Sequence, residues 1–516
     1  MILRPFALVG FSFTLTFLAL CLFDGALPVV AVAVAACLLI CLLARNMSGK
    51  NTVVVALLCV ICACVFFSIY EVFTYSSAIS MAGSGKTVRA QIISLPEKSE
   101  KGFFYTLRSS CIDGEAAEYK ISLFSRELID AEPYDEVEFK AELYSVEDAD
   151  TASYYKPKAI FLQCFWHSKI KVISSTEKPF GFYLLKAKDY CIRRLGSVMK
   201  AEPAALATAM LTGDKSGMSN EAVAAFKSAG LSHTTAVSGL HMSIIVMGLY
   251  KLLNLISRRF IWLNGLVCIA VSFVYAGVSG FSMSAVRSCV MIAILLLGSM
   301  LGRRADSLNS LGVAALVITL GNPFAVLDWS FMLSFSATLG MVLCSKYINL
   351  LSGMVSQKIP YRPLRYLVRT VISTALISLT ATAFCLPVTL FFVESISTVF
   401  IPANLLTLYA VSAVLVLSLL LLVPMGDLTN IIALPCEAIC RYMLRAAQAL
   451  SEFDYSLVST QSPVIKVSFV GIAAVIGLAG FVIKDKRKFA KTVVVTALFT
   501  VLVNIVIHII SVLTEV

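Results

Sequence analysis

Residues 230–259 read GLSHTTAVSGLHMSIIVMGLYKLLNLISRR. At roughly 1.5 Å of rise per helical residue, the stretch from 231 to 256 is long enough to cross about 30 Å of hydrocarbon. It stops at the basic pair Arg258 and Arg259. Its first fourteen residues are of another kind, with two of the chain's four histidines and five hydroxyls. Three explanations compete for His233, Ser238 and His241: a catalytic or metal site, plain helix packing, or the lining of a passage for something polar.

The rest of the chain has the same apolar character. It is 59% hydrophobic and 14% charged, with a mean hydropathy of +0.87, whereas ordinary soluble domains carry about 25% charged residues. Apolar runs at about 5–23, 26–44, 52–70, 231–256, 261–279, 282–301, 308–326, 329–346, 370–392, 399–423, 464–483 and 490–513 predict transmembrane helices. A thirteenth, 428–450, is interrupted by Glu437, Arg441 and Arg445. The expected fold is therefore a polytopic α-helical membrane protein of about 12–13 transmembrane helices. Its net charge of +11 reports orientation before it reports a nucleic-acid partner. Arg45 and Lys50, the Arg258 and Arg303 pairs, the 346–369 loop and KDKRK at 484–488 all read as cytoplasmic, which places residues 71–230 outside. Crossing by 428–450 keeps that alternation consistent.

The outer segment changes period. KTVRAQIIS (86–94), GFFYTLRSS (102–110), AEYKISLFS (117–125), DEVEFKAELYS (135–145) and AIFLQCFWHSKIKVIS (159–174) are short, rich in aromatic and β-branched residues, and separated by turn-forming clusters. They predict a small extracytoplasmic all-β domain over 77–176, an OB-like barrel being one option. Cys111 and Cys164 fall within it on the oxidising side and are a candidate disulfide. Residues 177–230 read as amphipathic helices in the headgroup layer, with Ser219 or Asn220 capping the second and Gly230 ending it. Thirteen acidic against three basic side chains in 113–150, and ten basic against two acidic in 156–200, predict that a polyanion meets the second stretch.

Several motifs fail on inspection. AGSGKT at 82–87 lacks the glycine that a phosphate loop needs five residues before Gly85, where Ser80 stands. AVSGL has Ala236 and Leu240 where a nucleophile elbow wants glycines. One metal ion cannot reach His233 and His241 on an unbroken helix, because eight residues separate them by roughly 12 Å. Small residues at Ser238, Gly239 and Ser243 suit close helix packing. Packing does not explain imidazoles, nor Arg287, Ser334, Ser336, Glu394 and Asn404 in or beside later spans. Costly polar groups in spans face cavities or pathways, so a water-lined passage is the better reading. His233 and His241 would lie about 80° apart on one helix and border one lumen.

The ordered series AGLSHTTAVSGLHMS, GFSMSAVRSCVMIAILLLGSMLGRRADSLNSLGVAALVITLGNPFAVLDWSFMLSFSATLGMV and FCLPVTLFFVESISTVFIPANLLTLYAV resembles the ComEC family of competence proteins across about residues 205–425. His233, Ser238, Gly239, His241, Arg287, Ser334 and Asn404 fall on that family's motif positions. Thr234 and Thr235 replace its usual leucines, and Ser330 and Met332 replace the Gly and Gln of its GFQLSF stretch. The resemblance implies three N-terminal helices (1–76), the OB-like domain and a channel core over 231–516. It also implies a passive inner-membrane conduit for single-stranded DNA, with those seven residues along the DNA path and no catalysis by the chain itself. No cofactor or metal is expected. Implied partners are single-stranded DNA, membrane lipid, a separate DNA receptor, a cytoplasmic ATPase motor and a nuclease; self-association is compatible with the sequence. No H-x-H-x-D-H cluster occurs, so the metallo-β-lactamase-like domain of longer members is not expected. The alternative is a channel-like protein for another polar substrate.

Overall fold

The structure, a computed structural model, describes residues 4–22, 50–99, 101–146, 149–165, 170–175, 178–392, 395–453 and 456–459. The expected spans 26–44, 464–483 and 490–513, the KDKRK loop and Lys169 lie outside the described residues. Eight helices among those described are long and apolar enough to cross a membrane, which fits a polytopic membrane protein. The described residues form two compact units. One draws on 1–217, 236–331 and 415–433, the other on 218–235, 332–414 and 434 onward.

In the first unit, helices α1 (Pro5–Leu22) and α2 (Lys50–Tyr70) precede the β domain. Five long strands follow, β1 (Gly83–Ile92), β2 (Gly102–Ile112), β3 (Lys120–Ser125), β4 (Glu136–Ser145) and β5 (Ile160–Phe165), with short strands at Glu97–Ser99, Glu115–Ala116 and Lys171–Ile173 paired onto them. Alternation builds the core. In β4, Val137, Phe139, Ala141 and Leu143 turn inward while Glu136, Glu138, Lys140 and Glu142 turn outward. Pairing runs β1–β2–β3–β5–β4 and returns from β4 to β1; β3–β5 is parallel and the other pairs are antiparallel. The ring closes as a five-stranded barrel, an arrangement compatible with an OB-like domain. Lys86 of the rejected phosphate-loop stretch sits in β1, paired with Asp113 at 2.8 Å.

The candidate disulfide is not formed. Both thiols are free. Cys164 points into the barrel core, whereas Cys111 lies on β2 between exposed Ser110 and buried Ile112, on the outer face. Cys164 aligns with Leu123 of β3, which aligns with Tyr105 of β2. Six residues of strand then separate Tyr105 from Cys111, roughly 20 Å at about 3.4 Å each, far beyond the ~7 Å that a disulfide spans.

Helix α3 (Phe180–Val198) leaves the barrel and leads into α4 (Ala201–Thr212). Every residue of α4 from Pro203 to Thr212 is buried, so it is an internal helix rather than one lying in the headgroup layer. After α5 (Asn220–Ser228), capped by Ser219 through its hydroxyl to the Ala222 N–H at 3.2 Å, comes α6 at 239–256. It consists of Gly239–Met242, a π-turn Ser243–Met247 and Gly248–Ile256. Then come α7 (Ile261–Val278), α8 (Met283–Met300) and α9 (Ser307–Gly321). The expected span 308–326 is cut short. Fifteen residues in α9 give roughly 22 Å, and Asn322 and Pro323 open a 3₁₀ turn instead of a further helical turn. Helices α1 and α9 meet so closely that a Cβ on Gly10 would run into the backbone of Gly312, and one on Gly312 into the backbone of Phe6 and Ala7.

The barrel is joined to the first unit's helices by Asn322. Its side-chain amide donates to the carbonyls of Lys156 (2.9 Å) and Pro157 (2.8 Å), beside an aromatic cluster of Phe67, Tyr70, Tyr75, Phe161 and Phe324.

The second unit holds α10 (Trp329–Ser356, from Met332 on), α11 (Arg362–Phe392), most of α12 (Phe400–Leu421) and α13 (Leu428–Ser451) from Leu434. Helix α13, the expected thirteenth span, is not among the eight long, apolar helices. Glu437 and Arg441 pair along it, and Ala433, Cys436, Cys440, Met443, Leu444 and Ala447 form one buried face.

Candidate functional site

The opening stretch does not fold as one helix. Ser232–Thr234 make a single 3₁₀ turn, and Ser238 is extended, with φ −124° and ψ 176°. Helix α6 starts only at Gly239. The expected 80° relation of His233 and His241 on a shared helix therefore does not hold.

Ser238 is the N-cap. Its hydroxyl lies 2.8 Å from Nδ1 of His241, and its backbone N–H donates to the same Nδ1 at 3.3 Å. Ring and hydroxyl thus close a reciprocal capping box. Because Nδ1 accepts the amide proton, a neutral ring carries its own proton on Nε2. The imidazole is 1% exposed, so Ser238 fixes both its orientation and its tautomer.

Against this turn packs α8. Arg287 is 7% exposed, and its Nη1 lies 3.8 Å from Met291 Sδ. A Cβ built on Gly239 would lie 3.4 Å from Arg287 Nη2 and 3.4 Å from Ser288 Oγ. At that distance a methyl group would make ordinary van der Waals contact, so the backbone of the cap lies about one methyl group away from the guanidinium. Ser284, Arg287 and Ser288 share one buried face of α8 at i, i+3 and i+4 spacing, and Ser288 donates to the Ser284 carbonyl at 2.8 Å. The sequence reading found Arg287 and missed the two serines, although their spacing was the available signal.

Beneath the turn, Gly213 ends α4 with φ +80° and lies against Val237. Asp214 follows it, 2.9 Å from Lys188 Nζ, and accepts from the Ser216 N–H (2.9 Å) and hydroxyl (2.6 Å). Burial alone would raise its pKa, but Lys188 and the Ser216 donors outweigh burial and hold the carboxyl below its usual range.

The remaining expected residues belong to the second unit. His233 is exposed, with Nδ1 3.2 Å from the Gly230 carbonyl oxygen. Ser334 is half-buried on α10, and its carbonyl accepts from Thr338 at 2.7 Å. Asn404 donates to Ser378 Oγ of α11 at 3.2 Å, a partner the sequence did not suggest. Glu394 lies outside the described residues. The site in hand is therefore Ser238, Gly239, His241 and Arg287, with Ser284 and Ser288 added. No group of three or more metal-binding side chains occurs among the described residues.

The segregation of charge between 113–150 and 156–200 is weaker than the counts implied. Lys178 pairs with Asp135 (2.8 Å) and Glu132 (3.7 Å), and Lys186 with Glu132 (3.6 Å), so part of the basic stretch is neutralised by the acidic one.

Residues 210–486, more than half of the chain, match the family described as Competence protein. A relative, ComE operon protein 3 of Bacillus subtilis (strain 168), is 23% identical over 245 residues, covering 47% of this chain and 29% of the relative. The chain thus spans less than a third of that relative's length. No solved structure matches. An apolar multi-helix fold, a polar turn set against a buried arginine, and the match over 210–486 agree: the chain belongs to the competence protein family.

Proposed function

We propose that this chain is a passive inner-membrane conduit through which single-stranded DNA enters the cytoplasm during natural transformation. The observation that carries the reading is the polar cluster of Ser238, His241, Arg287, Ser284 and Ser288, set among helices otherwise apolar enough to span a membrane. A guanidinium and an imidazole taken out of water cost several kcal/mol in a low-dielectric region (order of magnitude), and such groups persist where a polar pathway uses them. Cations and hydroxyl or imidazole donors replace the hydration of successive phosphates without reading sequence. In this account Arg287 supplies fixed positive charge. His241 supplies an oriented ring and Ser238 holds that ring. The family resemblance adds His233, Ser334 and Asn404 as further residues that DNA meets, and residues 71–230 face outward. A separate receptor delivers DNA, a cytoplasmic ATPase supplies work and a separate nuclease removes the other strand. The chain itself performs no catalysis.

The test is entry of labelled DNA into cells whose sole copy is altered. His241→Ala abolishes or sharply reduces entry while the protein remains in the membrane at normal abundance. His241→Gln retains more, because it keeps hydrogen-bonding groups. Normal entry in the alanine variant refutes the role of the cluster.

A further inference from the structure

Helix α3 is gripped at both ends and in the middle. Before its first turn, Lys178 Nζ reaches Asp135 Oδ1 at 2.8 Å. The same buried carboxylate accepts the backbone N–H groups of Glu132 (2.9 Å) and Ser175 (3.2 Å). Tyr134 packs directly on Gly181, where any side chain would displace the tyrosine. The start of α3 is thereby fixed to the barrel. Further along, Leu184 packs on Gly277 of α7, and Lys188 forms its largely buried pair with Asp214. Near its end, Tyr190 donates to the Leu422 carbonyl at 2.6 Å and Arg194 to the Leu421 carbonyl at 3.0 Å. These are the free carbonyls at the end of α12, where a cationic donor also meets the negative end of the helix dipole.

The middle grip is the one that reaches the polar turn. Asp214 is covalently next to Gly213, whose left-handed conformation ends α4 and sets it against Val237. Val237 is 2% exposed and immediately precedes Ser238. An unbroken chain of packed or bonded groups therefore runs from barrel to turn: Asp135, Lys178, α3, Lys188, Asp214, Gly213, Val237, Ser238. Nothing in a barrel-plus-bundle architecture requires a strut with an internal ion pair. A lysine and an aspartate removed from most solvent at 20% and 16% side-chain exposure are costly unless each holds the other in place.

We propose that Lys188 and Asp214 are positioning residues for the Ser238–His241 turn, and that α3 transmits the seating of the barrel to that turn. The proposal rests on the turn being part of the path for DNA. On that reading, what docks on the barrel biases the geometry of the path through α3, without touching it.

Hydrogen–deuterium exchange on the full chain in lipid nanodiscs, alongside DNA entry in cells, tests it. Asp214→Asn and Lys188→Met each raise exchange in 236–242 at least about tenfold and reduce DNA entry by a similar factor, while barrel peptides within 137–145 stay protected. The charge-swapped double variant Lys188→Asp with Asp214→Lys restores at least half of both. Asp135→Asn, at the far end of the strut and with the inner pair intact, raises exchange in 213–217 and 236–242. A merely structural ion pair would not respond to that remote change. Unchanged exchange in 236–242 in either Asp214→Asn or Asp135→Asn overturns the proposal. Absence of DNA entry with the unaltered chain refutes the conduit reading instead, and the exchange result then still decides the strut.

Discussion

Gly239 offers a graded test of the site. Alanine there places its Cβ 3.4 Å from Arg287 Nη2 and 3.4 Å from Ser288 Oγ, at the near edge of ordinary van der Waals contact. The position is the first of a right-handed helical turn, and no positive φ demands glycine. Removing glycine's extra backbone freedom is worth roughly 0.5–1 kcal/mol, so Gly239→Ala is neutral or slightly stabilising. Valine is another matter. Its γ-methyls reach about 1.5 Å beyond the Cβ, so one must press on the guanidinium or on the Ser288 hydroxyl. Overpacking of that kind costs about 1–3 kcal/mol, which shifts the intact turn by roughly five- to 150-fold. The assay is thermal unfolding of purified protein in detergent, read with DNA entry and membrane abundance for both variants. Wild-type behaviour of Gly239→Ala with loss of entry in Gly239→Val supports the close approach. A valine variant as stable and active as the parent refutes it.

Two further outcomes follow from the barrel. Burial pushes the Cys164 thiol up to about 12, so an alkylating reagent at about pH 8 modifies Cys111 in the folded protein and reaches Cys164 only after unfolding; mass spectrometry of a Cys111–Cys164 linked peptide would contradict this. Burial tends to raise the Asp135 carboxyl, but Lys178 and two backbone N–H donors hold it below its usual range. A depressed carboxylate contributes stability that is complete above its unfolded pKa of about 3.9 and is lost as pH falls through the lower folded value. Exchange protection at 178–182 therefore holds from neutral pH to about 4 and fails below it, and Asp135→Asn abolishes that acid step.

The barrel strands were legible because β-branched and aromatic residues alternate within each one. The closing order was not, since parallel pairing of β3 with β5 joins segments far apart in sequence. The disulfide expectation failed for the same reason: two cysteines on one domain say nothing about register or facing. The extent of α9 was misread because an apolar run continues past Pro323, where the backbone cannot. At the site, the polar excess of 230–243 and the intrusion of Arg287 were plain from composition. The capping box was not, because histidine stands where Glu or Gln usually signals it, and Ser238, Gly239 and Ser243 also suit close helix packing. Ser284 and Ser288 carry no signal by residue type, although helical spacing puts them on the face of Arg287.

Trapping DNA in transit is the most direct test of the central claim. A photo-crosslinking amino acid is placed singly at Ser238, Arg287 or Leu255, the last 80% exposed on the apolar end of α6, and cells are illuminated during uptake of labelled DNA. The account predicts impaired import with DNA adducts at position 238 or 287, and normal import with none at 255. Continued import with no adduct at 238 or 287, or adducts at 255 alone, would contradict it.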